Sequence, residues 1–347
     1  MRTRLLLVSL VVVLSLIVSA CAQGAQAPSG AKEAPAKAAG EQLAAKPKLP
    51  ASIDIGTASP GGTLYVMGSL IAEALESELG IRATASPTEG SVENIRLLDQ
   101  KKVHLGVSGS IQVYQSYNGV GGFDKKYTTL RTLAHLTPNS TIWVTLEGSG
   151  IKAFRDLKAK RVGSGPGAAT WTPNNIPFFA AHDMKFPDDV KPVWGTYEDM
   201  YSQLKDGALD AAVGAVSSGR LPIPAIKELM TARKIYIVPF DPQAMDKMVK
   251  DNPYMAKLSI PKDALGLQAD FPAVNNSAFF LLTRDDLDDE TAYQVVKSVH
   301  KQLAALAKKS PNFQYALDRP QQLTIDIQVP YHPGAIKYWK EAGLWQQ

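Results

Sequence analysis

The chain is poorest in the side chains that most often do chemistry. A single cysteine, Cys21, stands in 347 residues. A disulfide within the chain is therefore excluded, and so is a cysteine-built zinc site. The five histidines, His104, His135, His182, His300 and His332, are scattered without metal-ligand spacing, and each reads as structural or surface. No Gly-x-Ser-x-Gly elbow, Walker A sequence or His-Glu-x-x-His occurs. Gly163-Ser-Gly165 followed by Ala168 is a broken dinucleotide fingerprint, lacking the third glycine at its offset. The acidic runs Asp188-Asp189, Asp285-Asp286 and Asp288-Asp289-Glu290 fall at turns and helix starts, where they complement the helix dipole. Catalysis has no candidate constellation, and neither a cofactor nor a metal is expected.

A basic block is missing too. The whole chain carries a formal charge of +4, from 37 basic and 33 acidic residues. Arg2, Arg4, Lys32, Lys37, Lys46 and Lys48, against Glu33 and Glu41, belong to the first fifty residues; removing them leaves 31 of each sign. A near-neutral body has no nucleic-acid footprint. The longest uncharged apolar run, Leu5 to Ala20, has 16 residues, short of the roughly 20 that span a membrane. Behind Arg2 and Arg4 it reads as an export signal over residues 1–20. It ends in Val18-Ser-Ala-Cys21, similar to a bacterial lipobox, with small residues for a peptidase and a thiol to carry diacylglycerol. Cys21 is thus the expected lipidation site, and a membrane-anchored lipoprotein outside the cytoplasm the expected location. Residues 22–50, rich in Ala, Pro, Gly and Lys, cannot bury a core and read as a disordered tether. A tether of this length spans roughly 30 Å.

What is present lies in residues 51–347. Short apolar stretches alternate with amphipathic ones, which argues for an α/β fold. Ile53 and Ile55 open a strand, and Leu64, Met67, Ile71, Ala74 and Leu75 then share one helical face. Further strands are expected over 82–86, 103–107, 161–163, 190–193, 211–215 and 276–283, with a long helix over 288–309. The unit recurs in both halves, and 297 residues exceed one simple core. Two facing α/β lobes with a ligand cleft between them follow: 51–145 with 265–347, and 146–264.

Strand-to-helix loops carry the binding signal. Ser59, Thr63, Ser91, Ser110, Ser164 and Thr170 sit where a strand ends and a helix begins, beside Gly61, Gly62, Gly90, Gly165 and Gly167. Ser217 follows another strand. Ligands of open α/β sheets bind at the carboxyl ends of strands, and free helix-start amides attract anions. Hydroxyls and amides together can hold a carboxylate without a buried arginine. The same serines and threonines would also serve as ordinary N-caps, Ser91 and Ser110 among them. Tyr65, Tyr114, Tyr117 and Trp171 fall in or just after these loops. Trp171 could stack on a flat ligand or pack beneath its loop.

With those residues in view, the chain resembles the TAXI-type solute receptors of TRAP transporters, the tripartite ATP-independent periplasmic systems. The matching pieces include Gly56-Thr-Ala-Ser-Pro-Gly-Gly-Thr-Leu-Tyr65, Thr88-Glu-Gly-Ser-Val-Glu-Asn-Ile95 and Leu105-Gly-Val-Ser-Gly-Ser110. Gly150-Ile-Lys-Ala-Phe-Arg-Asp-Leu-Lys-Ala-Lys-Arg-Val-Gly163, Leu204-Lys-Asp-Gly-Ala-Leu-Asp-Ala211 and His332-Pro-Gly-Ala335 follow in order. The resemblance implies a periplasmic-binding-protein-like fold closing on a small organic anion, a carboxylate or amino acid. It also implies delivery to an ion-gradient-driven permease, with a monomer as the default. By the same resemblance the Gly61-Gly-Thr63 loop, Tyr65, Gly90, Ser91 and Ser110 line the first lobe, and 164–170 comes from the second. Ile111 stands where the family commonly has Asp, and Trp171 follows an atypical loop; both lean toward a bulkier or more apolar acid. The alternatives are a receptor for an ATP-driven importer or a sensor kinase, and an enzyme on the same scaffold.

Overall fold

A computed structural model describes residues 49–346 apart from 59, 61 and 167. The expected export signal, Cys21 and nearly all of the tether, with Ser59, Gly61 and Gly167, lie outside the described residues. The described residues form one compact unit. Among the described residues, no helix is long and apolar enough to cross a membrane.

The chain first lays down β1 (Ser52–Gly56), α1 (Thr63–Leu79), β2 (Arg82–Ser86), α2 (Ser91–Asp99), β3 (Leu105–Gly109), α3 (Ser110–Asn118) and β4 (Leu130–Thr137). It then crosses at Pro138 into β5 (Asn139–Leu146), β6 (Arg161–Gly163), α4 (Ala168–Ala181), β7 (Lys191–Val193), α5 (Tyr197–Lys205) and β8 (Ala211–Ser217). This second segment continues through β9 (Leu221–Pro222), α6 (Pro224–Ala232), β10 (Ile235–Ile237), α7 (Pro242–Asp251), β11 (Ala256–Ile260), α8 (Lys262–Leu265) and β12 (Phe271–Asn275). The return through residues 276–278 delivers β13 (Phe279–Arg284), α9 (Asp289–Lys309), α10 (Gln314–Asp318) and α11 (Pro333–Glu341).

Two sheets result. The first runs β2-β1-β3-β13-β4, and the second β11-β12-β5-β8-β6-β7, with β10 beside β5 and β9 beside β8. The α/β class expected from the alternating pattern is the class observed. Strands change sheet at residue 138 and between 275 and 279, so β5 and β12 hydrogen-bond within the second sheet. Both had been assigned by sequence to the first lobe, because their strongly apolar runs carry no mark of which sheet they join.

In the first lobe, α1 places Met67, Ile71 and Leu75 against one sheet face, with Val295, Val299 and Trp339 from α9 and α11. Ile95, Leu98, Val113 and Phe280 fill the other face beneath α2 and α3. The second lobe is built around Trp143, Phe154, Phe178, Phe179 and Phe240, whose rings meet mostly edge-on or tilted, the favourable arrangement for their quadrupoles.

Candidate functional site

Parallel strands in each sheet end toward the crossings. Gly109 at the end of β3 pairs with Phe279, the first residue of β13. Ser217 at the end of β8 pairs with Asn139, the first residue of β5. The carboxyl ends of the two sheets therefore face one another across the crossings, where ligands of open α/β sheets bind.

Side chains tie the crossings together. Asn275 Oδ1 accepts the Asn139 amide at 3.0 Å, and Asn276 Oδ1 accepts the Thr141 amide at 2.8 Å. Ser217 Oγ donates to Asn139 Oδ1 at 3.1 Å, so its hydroxyl serves the hinge. Ser218, held at a φ of 55°, donates its amide to Pro138 O at 2.8 Å and its hydroxyl to Pro311 O at 3.2 Å.

The starts of α1, α2 and α3 differ from those of α5, α7, α9 and α11. α5, α7, α9 and α11 are each capped by their own side chain, Thr196, Asp241, Asp288 and His332. α1, α2 and α3 begin behind bare glycines, Gly62, Gly90 and Gly109, with no side-chain cap. Ser91 and Ser110, expected as N-caps, are instead the first helical residues. The preference of caps for serine misplaces them by one position, because glycine also takes that site.

Their hydroxyls are thereby freed from capping. Ser91 Oγ accepts the Gly109 amide at 3.0 Å, which leaves its own proton for an outside acceptor. Ser110 is fully buried; its amide donates to Ala278 O at 2.7 Å and its hydroxyl to Asn276 O at 3.4 Å. Helix geometry leaves the Ile111 and Gln112 amides without intrahelical acceptors. A Cβ built on Gly109 would lie 2.9 Å from Gln112 Oε1, 3.3 Å from Ser277 Oγ and 3.8 Å from Ser91 Oγ. Polar groups from α2, α3 and the hinge thus converge beside Gly109, closely enough that a Cβ there would crowd Gln112. Nearby, Asn276 Nδ2 is buried without an acceptor.

Gln112, Ser277 and Asn276 were not singled out by sequence. The available signal was the polar run Asn275-Asn276-Ser277 directly ahead of an apolar strand.

Fully buried Asn94 sets the loops around this cluster. Its Nδ2 donates to Thr57 O at 2.6 Å and Val107 O at 2.8 Å, while its Oδ1 accepts the Thr88 hydroxyl at 2.7 Å. The loops after β1 and β2 and the middle of β3 are thereby tied by one side chain. Thr63 and Tyr65 lie half-buried in the first turn of α1, behind exposed Gly62.

The second lobe contributes a different surface. Ser164 is buried, its hydroxyl donating to Val162 O and its amide to Val193 O, both at 2.8 Å. Asn175 Nδ2 donates to the Ser164 carbonyl at 2.9 Å. Gly165 adopts a φ of 114°, and a Cβ there would overlap the ring of Trp171; only glycine suits both demands. Trp171 meets Tyr197 edge-on, with centroids 6.0 Å apart. Thr170 belongs to the first turn of α4.

Tyr114 leaves the strand-end cluster. Its ring packs on Tyr254 of the second lobe, 5.3 Å between centroids, and Ile111 is buried in the second lobe's core. Ile111 is therefore lobe-to-lobe packing, not an open pocket wall.

Residues 55–343 match the model of the NMT1-like family. The chain belongs to that family. Among solved structures, the periplasmic aliphatic sulphonate binding protein SsuA from Escherichia coli is similar at 16% identity and a TM-score of 0.44, covering 86% of this chain and 89% of that one. PhnD1 from Prochlorococcus marinus, in complex with methylphosphonate, gives 12% and 0.48 over 85% of this chain and 99% of that one. The alkanesulfonate-binding protein SsuA from Xanthomonas axonopodis, bound to MOPS, gives 14% and 0.42 over 86% and 96%.

In this NMT1-like chain the histidines bind backbone or neighbouring side chains. His182 Nε2 accepts the Asp241 amide at 3.1 Å and its Nδ1 lies 2.8 Å from Phe178 O. His332 Nδ1 accepts the Gly334 amide at 3.2 Å, capping α11. His104 accepts the Asp54 amide, and His300 meets the Tyr338 hydroxyl. Asp288 caps α9, and Asp189 accepts the Lys185 amide. Among the described residues, no three acidic, histidine or cysteine side chains cluster to hold a metal.

His135, fully buried with Nδ1 donating to Gln322 O at 2.8 Å, is pushed down to about 4 by desolvation of its charged form. A depressed folded value means the unfolded chain binds the proton first. The resulting stability is complete above about pH 6.5 and is lost as pH falls through about 4, roughly 3 kcal/mol in all. Burial moves His182, His300 and His332 in the same direction. Denaturant unfolding between pH 6.5 and 4 should show stability falling with acid. His135→Gln should remove about 1.4 kcal/mol per pH unit from that slope; an unchanged slope would contradict the assignment.

Proposed function

We propose that residues 51–347 form an extracytoplasmic solute receptor that captures a small organic anion between its lobes. Delivery is to an ion-gradient-driven permease of the TRAP type, and the chain is held at the membrane by lipid on Cys21. The observation that carries the reading is the convergence of Ser91, Gln112 and Ser277 on the space beside Gly109, next to the uncapped start of α3. The Ser91 and Ser277 hydroxyls and the free amides at the start of α3 suit an oxyanion, with the Gln112 amide turned to present its N–H₂ in place of Oε1. The TAXI-type motifs support the permease class, and the lipobox-like Val18-Ser-Ala-Cys21 supports the anchor.

Capture follows from the same geometry. An anion seated on α3 and Ser91 also touches the crossing through Ser277, and closure is favoured only by the further contacts that the second lobe adds. Neutral donors avoid part of the desolvation cost of a buried ion pair. Catalysis is not part of this reading, and bound ligand should be released chemically unchanged.

The test is a thermal-shift screen of the purified protein against carboxylates and amino acids. Ligand at 100 times its Kd adds about 2.7 kcal/mol of stability. Ser91→Ala and Ser277→Ala should each weaken binding by about 1 kcal/mol. Affinity unchanged in both variants would remove this cluster from the site. Separately, Cys21→Ser should move the protein out of the membrane fraction while leaving affinity intact; retention there would sink the lipid anchor.

A further inference from the structure

The strand ends of the two lobes differ in kind. On the first lobe they carry hydroxyls and helix-start amides. On the second, the strand ends carry rings. Trp171 stands in the first turn of α4, Trp194 directly follows β7, and Tyr197 opens α5. β6 and β7 are parallel neighbours, so the loops leaving them begin about 4.8 Å apart.

All three rings are half-buried and rest on the second lobe's core from outside. Trp143 and Trp339, by contrast, are fully buried. Trp171 lies on the bare backbone of Gly165, and Trp194 is steadied edge-on by Phe186, with centroids 6.1 Å apart. These are supported rings, each with surface left over, at the same sheet edge as the Ser164 loop.

Building on the receptor reading above, we propose that the captured anion carries an aryl body. Its anionic group sits beside Gly109, with Ser91, Gln112 and Ser277, and its ring lies against Trp171 and Trp194. The division follows from chemistry: hydroxyl and helix-start amide donors take the oxyanion, and the π faces and edges take a planar apolar body. A short dicarboxylate would need a second set of donors on the aromatic wall. There the Ser164 hydroxyl is already spent on Val162 O.

The experiment is calorimetric titration of the purified protein with matched acids: benzoate and cyclohexanecarboxylate, phenylacetate and cyclohexylacetate, and glutarate as the dicarboxylate. At least one aryl acid should bind about tenfold more tightly than its saturated partner. Trp171→Leu and Trp194→Leu should erase that ratio while the saturated acid still binds, which also reports an intact fold. Trp171→Phe should restore most of it. Equal affinities within each pair, or glutarate as the tightest ligand, would overturn the aryl assignment and leave the receptor reading standing. A ratio that survives both leucine variants would overturn the role of these two residues. No binding by any of the acids would overturn the receptor reading and this inference with it.

Discussion

Gly109→Val should abolish ligand capture, by 100-fold or more, while the protein melts within a few degrees of the parent. Backbone strain is not the reason. Gly109 sits at φ −75° and ψ 145°, an extended conformation that any residue adopts. The atoms a Cβ would meet first are Gln112 Oε1 and Ser277 Oγ, the far ends of short polar side chains that can turn aside. The fold therefore has room to adjust, whereas the proposed anion does not, because the branched methyls would occupy its seat. Calorimetry with whichever acid stabilises the parent, alongside a thermal melt, reads both quantities. Affinity within threefold of the parent would mean that the ligand sits elsewhere.

Asn94→Leu should produce the largest loss of stability, about 3 kcal/mol or more. The side chain is fully buried and satisfies the Thr57 and Val107 carbonyls and the Thr88 hydroxyl together. Leucine has a similar size but offers none of these bonds; the Thr88 hydroxyl and Thr57 carbonyl keep each other at 3.1 Å, and each buried group left unpaired costs roughly 1–3 kcal/mol. Gly56 adds to the demand, since a Cβ there would lie 2.7 Å from Asn94 Oδ1; the strand is bare where this amide presses on it. The melting temperature should fall by several degrees. Ligand affinity should fall too, because the loops after β1 and β2 and the middle of β3 lose their common tie. Denaturant unfolding showing less than 1 kcal/mol of change would contradict this role.

The elements legible in the sequence were those with local signals. The strand–loop–helix units of β1-α1, β2-α2 and β3-α3 announce themselves by apolar spacing and glycine. The hinge did not. β4 reads Leu-Arg-Thr-Leu-Ala-His-Leu-Thr and β5 reads Asn-Ser-Thr-Ile-Trp-Val-Thr-Leu, patterns that fit several positions in a sheet. What makes them a hinge is pairing at long range, such as Asn275 beside Ser140 and Asn139 beside Ser217, which no local spacing encodes. Gln112 and Ser277 escaped for the same reason. Each is unremarkable in its own segment and gains a role only from the neighbour that folding supplies.

Ile111 shows the limit from the other side. Its apolar character was visible, and the sequence suggested an apolar pocket. The structure spends that character on a joint between lobes. A helix start facing a strand end looks the same in sequence whether its second residue meets a ligand or another domain.

That joint also sets a resting posture. The first turn of α3 is the proposed ligand seat, while Ile111 and Tyr114, one turn of helix, stay lodged in the opposite lobe. Swinging the lobes apart means dragging both side chains back into water, at about 25 cal/mol for each Å² of apolar surface exposed. For the receptor proposed above, this joint would act as a door closer: it would favour the shut arrangement before a ligand arrives, leaving less motion to be lost on binding.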